Sequence, residues 1–249
     1  MLASSAMAAP ATVPTSAPAT RPVSLNSGPA DLASAKVGRD NQPDPTFLRM
    51  HEQFLARGKS GPIGVLFLGD SITQWWTRAP DVWQTHYGAL QPANFGISGD
   101  RTQHVLWRID HGELDGIHPK VVVLMIGTNN YNYSPGHITE GVEKIVAEIH
   151  AKLPDTKLLL LGIFPRGRDP SDPTVAKLRD KIKQVNGELA KLDDGKRTRY
   201  LDINDKFLDA DGKIPDDVMP DKPALHPNAK GYQIWADAMQ PLLDEMMKG

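Results

Sequence analysis

Five short apolar runs, separated by helix-length segments, constrain the fold of this chain more than any other feature. They cover residues 63–68, 93–97, 121–126, 158–164 and 199–203, and the clearest of them, at 121–126, reads VVVLMI. A run of this kind suits a strand buried on both faces, because a strand wetted on one side alternates apolar with polar residues. The intervening segments carry apolar residues three and four apart, the helical spacing. Phe47, Met50 and Phe54 mark a helix over 45–57, and Val105, Leu106 and Ile109 mark one over 102–111. Val142, Ile145, Val146 and Ile149 mark a third over 136–153. Further helices are expected from 72, over 174–192 and over 228–247. Strands alternating with helices imply a parallel sheet covered on both sides. Right-handed crossovers then bring every loop that follows a strand to one edge, where open α/β sheets bind their ligands.

Polar residues directly after the strands are therefore the ones to weigh. In FLGDSI, Ser71 lies between a buried strand and a helix start, where free N–H groups and the helix dipole favour negative charge. The same position suits a serine that only caps the helix. In NFGISGDRT, Gly99 allows the backbone to approach a substrate oxygen, although a plain strand-to-helix turn explains it equally well. In GTNN, after VVVLMI, an asparagine amide can donate to an oxyanion without carrying charge, or simply form a turn. In LHPN, His226 precedes the last helix and can accept a serine proton near neutral pH, though one of eight histidines means little alone. Together, a nucleophile, oxyanion donors and a base fall on four loops of one edge, which are the parts of acyl transfer through a covalent intermediate.

Charge and composition narrow the alternatives. A net charge of −2 points to neither a nucleic-acid nor an anionic-membrane partner. No apolar run reaches the roughly 18 residues of a membrane-spanning helix. The absence of cysteine removes disulfides, thiolate metal sites and cysteine nucleophiles. Residues 1–40 are rich in Ala, Pro, Ser and Thr, and such a stretch buries too little apolar surface to offset its ordering entropy. It is expected to be a disordered tail, with MLASSAMAAPA as the remnant of a leader, ahead of one domain over 41–249. An exported protein, periplasmic or secreted, is expected on that basis, with a cytoplasmic protein carrying a disordered tail as the alternative.

The four segments resemble the conserved blocks of the GDSL/SGNH hydrolase superfamily, in the same order. FLGDSITQWW, NFGISGDRTQHVLWRI, IGTNN, LLGIFPRG and HPNAKGYQIWADAM look most like the branch containing the catalytic subunits of platelet-activating-factor acetylhydrolase and their bacterial relatives. The similarity spans about residues 47–247. The resemblance implies a three-layer α/β/α sandwich around a five-stranded, parallel, flavodoxin-like sheet. It implies Ser71 as nucleophile, His226 as base, and an oxyanion hole made by the Ser71 N–H, the Gly99 N–H and the Asn129 amide. It implies no metal or cofactor, and relatives of this type often form homodimers.

One departure stands out. The superfamily places an aspartate three residues before the histidine, a position held here by Pro223, and the nearest upstream acid is Asp221. Asp221 is expected to reach the imidazole through a bulged loop. The alternatives are Asp216, Asp217, or a backbone carbonyl holding the ring of a Ser-His dyad. Asp70, Trp75, Arg101, Asn130 and Arg166 are secondary candidates for the substrate pocket. For Trp75 and Trp76 helix packing competes evenly, for Arg166 and Arg168 a solvated loop is the plainer reading, and Asp100 and Arg101 either pair across the site or cap the next helix. The expected activity is removal of a short acyl group, acetyl, from a carbohydrate ester. A lipid or small-ester substrate is the second reading, and a non-catalytic binding protein on the same fold is the third.

Overall fold

Strand β1 (Val65–Gly69) is buried at every residue, as its apolar sequence VLFLG requires. It is an inner strand of the sheet in a computed structural model that describes residues 28–248. β2 (Pro92–Gly96) pairs with it on one side and β3 (Val121–Met125) on the other, followed outward by β4 (Lys157–Leu161) and β5 (Thr198–Leu201). All four pairings are parallel, so the sheet runs β2-β1-β3-β4-β5. Alternate strand residues feed two separate cores. Leu66, Leu68, Val122 and Leu124 pack with α1 (Pro45–Lys59), α4 (Thr102–Asp110), α5 (Pro135–Lys152) and α6 (Pro173–Leu189). Val65, Phe67, Val121 and Val123 face the other way, onto α2 (Ser71–Gln74), α3 (Pro80–Tyr87) and α7 (Ala229–Lys248). The result is the expected three-layer α/β/α sandwich.

The helix expected from residue 72 differs from its sequence reading. α2 stops after one turn and passes into a 3-10 turn, Trp75–Arg78. Two adjacent indoles cannot share one environment, and they separate. Trp76 is buried among Phe67, Tyr87, Tyr232 and Trp235, while Trp75 stays near the surface. α3 then begins at Pro80, a residue suited to the first turn because its missing N–H is not needed there. Only Tyr87 of α3 is buried, so no apolar periodicity announces this helix in the sequence.

The folded part also starts earlier than the 41–249 boundary. The expected tail falls largely on residues 1–27, which lie outside the described residues, but 28–40 pack onto α4 and α5. Ala30 is buried, and its carbonyl accepts from Thr102 Oγ1 at 2.7 Å. Tyr133 Oη donates to the Gly28 carbonyl at 2.6 Å, and the Ser34 N–H donates to Gln103 at 3.0 Å. Two polar side chains and one backbone carbonyl of the domain thus supply the partners that the arm's own composition lacks.

A buried charge cluster locks the strand ends. The Arg108 guanidinium donates to the Phe95 carbonyl at 2.9 Å and the Gly69 carbonyl at 3.3 Å. It also pairs with Glu113 at 2.6 Å, and its Nε lies 3.1 Å from Asp100 Oδ2. His51 closes the cluster 3.3 Å from Glu113. One cation therefore bridges the ends of β1 and β2. Close approach completes the junction, because a Cβ on Gly96 would lie 2.3 Å from the Gln74 nitrogen and 2.8 Å from the Asp70 oxygen. Replacing Arg108 with Met should cost about 3–5 kcal/mol in urea unfolding, since two buried carboxylates lose their partner. A loss under 1 kcal/mol would show that the cluster does not hold the strand ends.

Candidate active site

Ser71 is the first residue of α2, placed by the turn Gly69-Asp70. The Asp70 side chain accepts from the Ile72 N–H at 2.9 Å and so caps the short helix. Its second carboxyl oxygen has no hydrogen-bond partner among the described residues, and burial lifts the group to about 7 against the Ile72 hydrogen bond and the pull of Arg166 and Lys36. Asp70 is fully buried beneath Ser71, so it does not line a pocket as expected.

The Ser71 hydroxyl lies 3.0 Å from His226 Nε2, joining residues 155 positions apart. On the far side of the ring, His226 Nδ1 is 2.6 Å from Asp221 Oδ2. The other Asp221 oxygen accepts from the Leu225 N–H at 2.9 Å and the His226 N–H at 3.1 Å. The carboxylate therefore holds the imidazole and closes its own loop, and in this way the longer spacing is absorbed. Asp216 and Asp217 are committed elsewhere, to Arg168 at 2.7 Å and to Lys230. Arg168 is not merely solvated. It donates to the carbonyls of Ile214 and Met219, both at 2.7 Å, and anchors the segment that leads to Asp221.

A carboxylate can only accept, so the short contact places the proton on His226 Nδ1 and leaves the Nε2 lone pair toward Ser71. Burial lowers the imidazole's pKa, and the nearby cations Arg78 and Arg166 add to this, against the opposing hydrogen bond and charge of Asp221. The ring is thus neutral at neutral pH, as a base must be. Trp75 covers it, with ring centroids 3.9 Å apart, and Arg78 lies 3.4 Å from the centre of the same indole. Of the two tryptophans, one belongs to the site and one to the core.

The remaining candidates divide in the same way. Gly99 has φ +76°, a conformation that favours glycine, and its N–H makes no hydrogen bond among the described residues. Asn129 Nδ2 donates to the Asp100 carbonyl at 2.9 Å, tying the loop after β3 to the loop after β2. Asn130 is a correction, because it is buried and fully engaged. Its Oδ1 accepts from the Thr102 N–H at 3.1 Å, and its amide reaches Thr102 Oγ1 and Gln103 Oε1. Asp100 and Arg101 do not pair with each other. Asp100 belongs to the Arg108 cluster, and the Arg101 N–H donates to His104 Nδ1 at the start of α4. Arg166 stays at the rim, donating to the Thr128 carbonyl at 3.1 Å with its guanidinium 5.0 Å from the Tyr131 ring centre. Arg108 and Lys36 were not legible as site-building residues. Arg108 offered one signal, a lone cation among the apolar positions Val105, Leu106 and Ile109.

Residues 67–234 match the GDSL-like Lipase/Acylhydrolase family. The chain is 36% identical over 206 residues to platelet-activating factor acetylhydrolase IB subunit alpha1 of Homo sapiens, covering 82% of this chain and 86% of that protein. It is 36% identical over 225 residues to the alpha2 subunit of Rattus norvegicus, covering 90% and 93%. Among solved structures, a GDSL-like lipase from Bacteroides thetaiotaomicron superposes with a TM-score of 0.62 at 19% identity, covering 78% and 97%. A mutant form of an acetyl-xylooligosaccharide esterase from Geobacillus Stearmophilus superposes with a TM-score of 0.55 at 18% identity, covering 75% and 95%.

The lowered imidazole sets the expected pH profile. With His226 as the candidate base, the acid limb of kcat/KM for ester hydrolysis should have its midpoint below the ordinary histidine value of about 6.5, because a protonated ring accepts no proton. A midpoint above 7 would mean that Asp221 outweighs burial and the two arginines.

Proposed function

Because the chain belongs to the GDSL-like lipase/acylhydrolase family, we propose that it hydrolyses acetyl esters through an acyl intermediate on Ser71. The unbroken contact chain from Ser71 Oγ through the His226 ring to Asp221, at 3.0 and 2.6 Å, carries this reading. Ser71 Oγ attacks the ester carbonyl carbon while His226 Nε2 takes the hydroxyl proton. The carbonyl oxygen becomes an oxyanion, received by the Ser71 N–H, the Gly99 N–H and Asn129 Nδ2. Collapse breaks the bond to the alcohol, which leaves with the proton from His226. Water then attacks the acetyl-serine, with His226 again as base, and releases acetate. Asp221 remains ionised throughout and supports the imidazolium.

For the alcohol part, a carbohydrate is the favoured reading. The Trp75 ring is already in contact with His226 and Arg78, but Tyr131, 45% exposed beside Arg166, offers an aromatic face at the border of the site. Such faces stack on the apolar side of a sugar ring. Among the described residues the exposed large apolar side chains are Leu32 and Tyr131, too few for a lipid-facing patch. An acetylated lipid is the second reading, favoured by the 36% identity to the acetylhydrolase subunits.

Ser71→Ala should slow p-nitrophenyl acetate hydrolysis by about 10⁴-fold or more, with the fold intact by circular dichroism. Retained turnover would remove Ser71 as nucleophile, and an inactive wild type would favour a binding protein. Asp221→Asn should lower kcat by about 10⁴-fold, and an unchanged rate would leave a Ser-His dyad. Side by side, acetylated xylo-oligosaccharides should give higher kcat/KM than an acetylated ether phospholipid. The reverse order would select the lipid reading.

A further inference from the structure

Lys36 lies in the N-terminal arm, 35 positions before the proposed nucleophile and away from every block of the family resemblance. Its backbone is held in place, because its carbonyl accepts from the Asp44 N–H at 2.9 Å and, two residues earlier, Ser34 donates to Gln103. From this fixed point the side chain, 19% exposed, reaches the loop after β2 and donates from Nζ to the Ser98 carbonyl. The ammonium is 3.9 Å from Asp100 Oδ1, and a Cβ on Gly99 would lie 3.1 Å from it. Asp100 is already shared with Arg108, so it does not cancel the charge of Lys36 alone.

The Ser98 carbonyl and the Gly99 N–H belong to one planar peptide unit. In a trans peptide they point in opposite directions, so a cation holding the oxygen also aims the N–H. A charged donor on the carbonyl polarises the amide as well and makes its N–H a stronger donor. The preceding peptide unit is held as well, because the Ser98 N–H donates to Gln74 Oε1 at 2.7 Å. We infer that Lys36 is a positioning residue of the oxyanion hole, orienting and polarising the Gly99 N–H through the Ser98 carbonyl. The inference rests on the reading above in which that N–H receives the oxyanion. It also gives the ordered part of the arm a role in turnover, beyond covering α4 and α5.

The chain has no cysteine, so Lys36→Cys creates a unique alkylation site. Alkylation with 2-bromoethylamine rebuilds a cationic side chain of nearly the original length, and 1-bromopropane gives its neutral counterpart on the same protein. With p-nitrophenyl acetate, the propyl form should lose about 10²-fold in kcat, the scale of one weakened oxyanion donor, with KM changed less than about 3-fold. The aminoethyl form should recover kcat to within about 5-fold of wild type, as expected if charge restores the donor. Because both forms come from one variant, a folding defect would depress them equally. Equal kcat in the two forms, or a change confined to KM, would overturn the role of Lys36. Ser71→Ala, assayed in parallel, tests the underlying reading separately, since retained turnover there would remove the acyl-serine mechanism whatever Lys36 does.

Discussion

Gly69 at the end of β1 pairs in register with Gly96 of β2 on one side and Met125 of β3 on the other. Three strands therefore end at one level, and the loops bearing Ser71, Gly99 and Asn129 leave the sheet side by side. Hydrogen bonds beyond the sheet keep them there. The Ile97 N–H donates to the Gly69 carbonyl at 3.2 Å, Arg108 reaches the Gly69 and Phe95 carbonyls, and Asn129 reaches Asp100. The parts of the site are extensions of a parallel ladder buried among the two helical layers. α7, which follows the His226 loop, packs on the second core, where Tyr232 and Trp235 lie against the sheet and Tyr232 Oη donates to the Ile72 carbonyl at 2.7 Å.

Burial works on the two titratable groups nearest Ser71 in opposite directions on the pKa scale and toward the same charge state. It lowers the pKa of His226 and raises that of Asp70 to about 7. A neutral imidazole can accept the serine proton. With its pKa raised to about 7, Asp70 carries less negative charge at neutral pH than an ordinary carboxylate under the place where the proposed oxyanion forms. Around them the cations Lys36, Arg78 and Arg166 outnumber the Asp221 carboxylate that bears on the same ring, and in the proposed mechanism positive charge of this kind favours a developing oxyanion.

Much of this was legible in the sequence because burial on both faces leaves a plain signature. VVVLMI could hardly be anything other than an inner strand, and the polar residues that follow such runs must gather at one edge. What escaped was information carried by contacts between distant segments. Nothing local shows that Asp221 folds back onto the Leu225 and His226 N–H groups, that Asn130 is consumed by Thr102 and Gln103, or that Asp100 pairs with Arg108 and not with Arg101. The arm was misjudged for the same reason. Residues 28–40 lack the apolar content to fold alone, and they are ordered by Tyr133, Thr102 and Gln103 of the domain. The division of Trp75 from Trp76 depends on where a helix of one turn stops, which propensity does not specify.

The central claim is that the Ser71 hydroxyl, activated by His226, forms the covalent intermediate. Incubation with diethyl p-nitrophenyl phosphate followed by peptide mass spectrometry tests it most directly, because the phosphoryl group stays on the attacking oxygen. One adduct per chain on the peptide containing Ser71, formed at a rate that falls sharply in His226→Ala, is the predicted result. An adduct on another residue, or full loss of esterase activity with Ser71 unmodified, would contradict it.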